Sequence, residues 1–383
     1  MRSATPRVVL SSGLALLCAS LGAARGASLY DVIDLGRGAP VKINWSRQVL
    51  IQDGSDVVLW QDGQRTIVAQ GRYALDLNQL GHVLAGMSPI ASGQVGESML
   101  YTPGQVVAIE NGMALNDLGV VAGFDADLGS FFTWQNGVKT PVGPPGQPWG
   151  IVTSLNNTGD FAAMVDLLNP RPILHIDGSL ASGITYDEAG GFAYLNESGQ
   201  AAFSSRTPTG ARTYAYTWHD GVTTRVLPQQ IQWHLGLPEH IGEFNALNNL
   251  GQVVGYHEVL NELDGWGSEF YGGLLYEGGQ AYTLNDLLAP QFSSHWDVRH
   301  AFDINDRGDI IARAFLDSDL DNPRAVLLRP RPGIGGAVTM PEPSSLALVA
   351  TGAVLTGGLL HRARGKRRAE ITSRPAPAAA PSR

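Results

Sequence analysis

Leu77-Asn78-Gln79-Leu80-Gly81-His82-Val83-Leu84-Ala85-Gly86 is the stretch from which the fold of this 383-residue chain is read. An apolar residue leads into Asn, Gly stands three residues later, and apolar residues follow. Asn bonds its own backbone two residues on and Gly accepts a positive φ, so Asn-x-x-Gly closes a tight β-turn between two short strands. The pattern returns as Leu115-Asn116…Gly119, Leu155-Asn156…Gly159, Leu195-Asn196…Gly199, Leu247-Asn248…Gly251 and Ile304-Asn305…Gly308. A degenerate first copy, Ile43-Asn44-Trp45-Ser46-Arg47-Gln48-Val49, carries Arg47 where the others have Gly. Successive Asn residues are 34, 38, 40, 40, 52 and 57 apart, periods that belong to propellers and solenoids.

A second hairpin follows most copies. It reads Trp60-Gln61-Asp62-Gly63, Trp134-Gln135-Asn136-Gly137 and Trp218-His219-Asp220-Gly221. Weaker forms are Tyr101-Thr102-Pro103-Gly104, His175-Ile176-Asp177-Gly178 and Tyr276-Glu277-Gly278-Gly279. Asp-Gly and Asn-Gly between strands are strong hairpin signals. Two hairpins per repeat make four strands, the unit of a propeller blade. The spacing therefore predicts an all-β fold, a β-propeller of about seven four-stranded blades over residues 27–332. The last copy lacks a fourth strand, while Leu29–Leu35 is a spare strand at the start, so an N-terminal strand closes the ring and removes its open edges. A β-solenoid is the alternative; its regular stacking suits the long last two spacings less well. Residues 228–243 and 258–271 read as loop insertions.

Both ends read as targeting segments. Residues 1–26 have Arg2 and Arg7, then an apolar run from Val8 to Leu21, then small residues, the order of a signal peptide. The single cysteine, Cys18, falls inside it, so the mature chain has no disulfide, no Cys-bound metal and no thiol nucleophile. At the other end stand Pro341-Glu342-Pro343, an apolar run from Leu346 to Leu360 and a basic cluster from Arg362 to Arg368. Hydropathy predicts a single hydrophobic helix, short for a membrane span, with its basic flank on the cytoplasmic side. Residues 371–383 are a Pro/Ala-rich tail. Between the ends, residues 27–340 hold 16 Lys and Arg against 33 Asp and Glu, a net charge of −17. So acidic a body predicts no nucleic-acid partner.

The C-terminal residues 333–370 resemble the PEP-CTERM sorting signal of Gram-negative bacteria, on the ordered set of Pro341, Glu342 and Pro343, the hydrophobic segment and the basic cluster. That resemblance implies an exosortase-type processing enzyme as partner, transient or permanent membrane anchoring, and a place at the cell surface or in the medium. The repeats are similar to the HAF repeats of bacterial extracellular proteins, most closely in Leu284-Asn285-Asp286-Leu287-Leu288 and Ala301-Phe302-Asp303-Ile304-Asn305-Asp306-Arg307-Gly308-Asp309-Ile310-Ile311. The second glycine that those repeats favour is present as Gly86, Gly123 and Gly255 but is Met164, Ser204 and Arg313 elsewhere. This resemblance implies an extracytoplasmic propeller-like domain and no particular activity.

No Gly-x-Ser-x-Gly elbow, phosphate-binding glycine loop or His-Glu-x-x-His motif occurs, and the residues nominate neither a catalytic set nor a cofactor. Asp317, Asp319 and Asp321 alternate on one loop and are the candidate Ca²⁺ ligands, though the Gly and distant Glu of an EF-hand are missing. His295 and His300 are read as packing or surface residues. Trp60, Trp134 and Trp218 share one repeat position and are read as blade core, while Trp149, Trp233, Trp266 and Trp296 fall outside it, mostly in loops, and are the candidates for stacking on sugar rings. The Asn-x-Ser/Thr triplets at Asn44, Asn156 and Asn196 coincide with the turn motif, which explains them without glycosylation. The expectation is an exported, non-enzymatic structural or binding protein associated with exopolysaccharide. The alternatives are a propeller glycoside hydrolase or lyase and a calcium-dependent adhesin.

Overall fold

The computed structural model describes residues 29–331 except 90–95, 144, 148, 167–169, 183, 185–188, 207–212, 227–240, 262–266 and 318. The segments expected to form a leader, a C-terminal hydrophobic helix and a tail, and the Pro341-Glu342-Pro343 box, lie outside the described residues, as do Trp233 and Trp266.

Twenty-eight strands form seven separate four-stranded sheets, every pairing antiparallel between the strands of one blade. Six blades are continuous in sequence; blade 1, for example, runs Ala39–Ile43, Val49–Asp53, Asp56–Gln61 and Gln64–Gln70. The first strands of blades 2 to 7 are Tyr73–Leu77, Gly112–Leu115, Gly150–Leu155, Ala189–Leu195, Ile241–Leu247 and Trp296–Ile304. Each first strand touches the first strand of both neighbouring blades, with blade 7 returning to blade 1, so the seven surround an axis. The chain is a closed seven-bladed propeller and not a solenoid.

Closure follows the sequence expectation. Tyr30–Gly36 pairs antiparallel with Arg324–Pro330 of blade 7, in the register Val32 to Leu328. Ion pairs from Arg324 to Asp34 (2.7 Å) and from Arg331 to Asp31 (2.8 Å) pin the two ends of the strand.

The turns match their residue types. The Gly of each Asn-x-x-Gly turn has φ between 72° and 93°, the left-handed region an L side chain avoids. Asp62-Gly63, Asn136-Gly137, Asp177-Gly178 and Asp220-Gly221 hold positive φ at both residues, the mirror-image turn that suits strand twist. Gly123 and Gly255 meet a different demand. A Cβ there would lie 2.0 Å from the carbonyl oxygen of Asn111 or Glu243.

The core lies between blades. Phe131 of blade 3 packs on Phe161 of blade 4 with centroids 5.2 Å apart, and Trp149 closes on Phe124 at 4.8 Å. Trp60 and Trp218 are buried and Trp134 is half-buried against the same kind of interface, as their shared repeat position predicts. Trp296 also packs into an inter-blade cluster. One expectation needs correction. Residues 258–271 are not simply a loop insertion, because strands Val253–Asn261 and Gly267–Glu277 run through most of that stretch as one long hairpin. Likewise the first inner-strand residues of blade 6, from Ile241, fall within the stretch read as the other insertion.

Candidate functional site

The seven repeat asparagines are buried, at most 5% exposed, and their chemistry is spent on the ring. Each side-chain Nδ2–H donates to the backbone carbonyl of the repeat Asn in the next blade. The links run Asn44 to Asn78 (3.2 Å), Asn78 to Asn116 (3.0 Å), Asn116 to Asn156 (2.9 Å) and Asn156 to Asn196 (3.4 Å). They continue Asn196 to Asn248 (2.9 Å), Asn248 to Asn305 (2.9 Å) and Asn305 back to Asn44 (3.1 Å). Each Oδ1 meanwhile accepts backbone N–H groups of its own turn, as Asn116 does from Leu118 (3.1 Å) and Val120 (2.9 Å). A carboxamide carries its donor and its acceptor on two separate atoms, so one side chain reaches the next blade and its own turn together; an ionised Asp has no donor, and Ser has a single shorter oxygen for both tasks.

The following residue forms a parallel circuit. Its backbone N–H donates to the side chain of its counterpart one blade on: Trp45 to Gln79 (2.5 Å), Gln79 to Asp117 (2.8 Å), Asp117 to Asn157 (2.9 Å), Asn157 to Glu197 (2.9 Å), Glu197 to Asn249 (2.8 Å) and Asn249 to Asp306 (2.8 Å). Trp45 offers no acceptor, so the circuit stops at the seam between blades 7 and 1. There Arg307 covers the Trp45 ring at 4.3 Å and Arg47 donates to the buried Asp309 at 2.9 Å. Arg47, the departure from Gly in the first repeat, holds a φ of 61° and serves as the lock of the ring.

The axis itself carries the strongest electrostatics. Two residues before the repeat Asn stand Lys42, Asp76, Ala114, Ser154, Tyr194, Ala246 and Asp303, all on inner strands. Lys42 lies 3.9 Å from Asp303 and also feels Asp76. Asp76 and Asp303 sense each other across non-adjacent blades, as Tyr194 senses Asp303, so the group converges on the axis. Burial pushes Asp76 up to about 6, although Lys42 and two backbone N–H donors pull the other way. Asp303 is likewise raised, burial outweighing Lys42. Burial alone would lower Lys42, but Asp303 and Asp76 outweigh it and its pKa rises. Tyr194 is raised, burial first and the acidic neighbours second.

These carboxylates are engaged. Asp76 accepts from Leu115 N–H of blade 3 at 2.7 Å and from Leu77 N–H at 2.9 Å. Asp303 accepts from Ile43 N–H of blade 1 at 2.9 Å, and Ser154 Oγ takes Leu195 N–H of blade 5 at 2.7 Å. Sequence reasoning did not single out this column. Aligning the copies on their Asn would have exposed it, since two acids and a base are unusual on strands so apolar.

The sequence-nominated residues lie elsewhere. Asp317 accepts from or shares a proton with His295 Nδ1 at 2.7 Å, and Asp319 accepts from Asn322 at 2.8 Å. No group of three His, Cys, Asp or Glu side chains placed to hold a metal occurs among the described residues. His300 is apart from His295, stacked on Phe302 at 4.2 Å and close to Tyr256, and burial followed by Arg313 lowers it to about 4.

No family model and no curated protein matches the chain. Among solved structures it is similar to a streptogramin B lyase, at 9% identity and a TM-score of 0.49 over 79% of this chain and 98% of that one. A gluconolactonase from Xanthomonas campestris gives 13% and 0.41, over 81% and 93%. The β-propeller domain of the trilobed protease from Pyrococcus furiosus gives 8% and 0.45, over 82% and 100%. Likeness of this order carries nothing about activity, and the propeller rests on its own strand pairing.

Proposed function

We propose that the protein is exported, sorted by an exosortase-type enzyme through its C-terminal segment, and acts without catalysis at the cell surface or in the extracellular matrix. There it serves as a rigid binding or structural propeller associated with exopolysaccharide. The two ends of the sequence support the address. The non-catalytic part is carried by one observation: the axial carboxylates Asp76 and Asp303 are tied to backbone amides of the next blade and to Lys42, so their lone pairs hold blades together. Intact mass of the protein from envelope and medium tests the reading. A species starting between residues 24 and 28, and ending near Pro341 or at Arg383 in the envelope, is expected. A cytoplasmic chain starting at Met1 contradicts it.

A second reading, a propeller glycoside hydrolase or lyase, is favoured by the raised proton affinity of Asp76 and Asp303 at the axis. It requires polysaccharide turnover that disappears in Asp303→Asn while the fold survives. Turnover that is absent from the parent protein, or unchanged in the variant, removes this reading.

A further inference from the structure

Blade 4 departs from the repeat at one position. Where five blades carry Trp60, Tyr101, Trp134, Trp218 and Tyr276 and blade 7 carries the apolar Leu328, blade 4 carries the polar His175. Its cross-strand partner is the larger Phe161 instead of the Val or Ala of those five, and the imidazole stacks on that ring at 4.9 Å and 7°. The exchange restores bulk toward the inner side and removes it toward the blade 3–4 boundary. A groove of about 780 Å³ opens there, a size suited to a small ligand.

The walls have a definite chemistry. On blade 3, Thr133 and Thr140 are cross-strand partners, and strand alternation puts Gln135, Val138 and Val142 on the same face. The cation of that outer strand, Lys139, is turned away: it pairs with Asp125 at 2.5 Å and covers Phe132 at 4.4 Å. Opposite stand His175 and the hairpin residue Asp177. His175 is 5% exposed, and its Nε2 has no hydrogen-bond partner. Burial lowers its proton affinity and outweighs the opposing pull of Asp160, which favours the neutral ring with one nitrogen to donate and the other to accept. Nε2 is enclosed by the protein, so a hydroxyl reaches it only when the imidazole edge turns toward the groove, and that contact relieves the cost of leaving it unpaired.

We propose that this groove binds an uncharged, hydroxyl-rich carbohydrate segment. Sugar hydroxyls both donate and accept, which matches threonine hydroxyls, a glutamine carboxamide and a neutral imidazole. The Val138–Val142 strip offers an apolar bed for a sugar's C–H face. No Lys or Arg lines the groove, and Asp160 and Asp177 repel anions, so acidic polysaccharides are excluded. The assignment names the ligand class for the binding role proposed above, and rests on that role only for where the ligand is met.

The test is titration of the full chain with cellotetraose, maltotetraose and xylotetraose, and with tetragalacturonate as the charged control. Calorimetry and the His175 imidazole ¹⁵N signals are the readouts. At least one uncharged tetrasaccharide is expected to bind and shift the His175 signals. Val138→Arg, at a side chain 64% exposed on the rim, is expected to weaken binding at least tenfold without disturbing the fold. His175→Trp combined with Phe161→Val, which restores the repeat pair, is expected to weaken binding likewise. Binding of tetragalacturonate alone, no His175 shift with any of the four sugars, or affinity unchanged in Val138→Arg overturns the proposal. A cytoplasmic chain starting at Met1 refutes the export reading whichever sugar binds, so the two failures are told apart.

Discussion

A single carboxamide explains why the repeat tolerates so much variation elsewhere. Asn116 makes three hydrogen bonds, one buried and two part-buried, and Val120, four residues on, provides no side-chain substitute. Asn116→Ala is therefore expected to cost about 2–4 kcal/mol, read as a lower urea midpoint. Asn116→Asp keeps the acceptors but turns a carboxylate toward the Asn156 carbonyl, so its loss is larger at pH 7 than at pH 4. Equal losses at the two pH values would remove the donor role. Asp76 gives a pH dependence of its own. Its pKa of about 6 exceeds the usual carboxylate value of about 3.9, so the folded state takes up this proton first as pH falls. Relative to Asp76→Asn, the parent protein gains up to about 3 kcal/mol between pH 7.5 and pH 4. Buried His300, which resists protonation, works in the opposite direction, and the comparison with the variant cancels it. Parallel stability profiles would show that burial does not govern Asp76. At this scale the Asn and Gly positions were legible because turn chemistry is local. The axial group was not, since Lys42, Asp76 and Asp303 lie 34 to 261 residues apart and meet only when the ring closes.

Between elements, the seam of blades 7 and 1 is where the repeat rules are broken in a coordinated way. Arg47 occupies a left-handed turn position that normally belongs to Gly, a strain of about 1 kcal/mol. It holds Asp309, which is fully buried and replaces the Gln found at the equivalent positions 48, 200 and 252. Arg47→Gly alone is expected to destabilise by about 1–3 kcal/mol, because Asp309 loses its counter-charge. Arg47→Gly combined with Asp309→Gln recreates the ordinary repeat and is expected to recover most of that loss. A double variant no better than the single one would deny the coupling. The hairpins were legible in blades with Asp-Gly or Asn-Gly, whose residues fix the turn. Blade 6 was read less well: its strands extend beyond the repeat length, and a long alternating hairpin is hard to separate from an inserted loop by spacing alone.

For the whole molecule, closure is the property on which everything else depends. Seven inner strands in mutual contact place Lys42, Asp76, Tyr194 and Asp303 on one axis, and the inter-blade boundary of blades 3 and 4 becomes a groove only because each blade is held at a fixed angle to the next. Sequence alone predicted the blade number and the closing strand, because one strand was missing at one end and one was surplus at the other. It did not reveal this groove, because a binding groove between blades depends on which bulky side chain is absent, as at His175, more than on any motif that is present. The direct test of the closed ring is a disulfide between Asp31→Cys and Arg329→Cys, which are register partners, made in a Cys18→Ser background. Antiparallel partners fall within disulfide reach. The prediction is spontaneous formation of one intramolecular bond and a rise in the denaturation midpoint of the oxidised over the reduced chain. Thiols that stay free under mild oxidation, or that link only two separate chains, would contradict closure by the N-terminal strand.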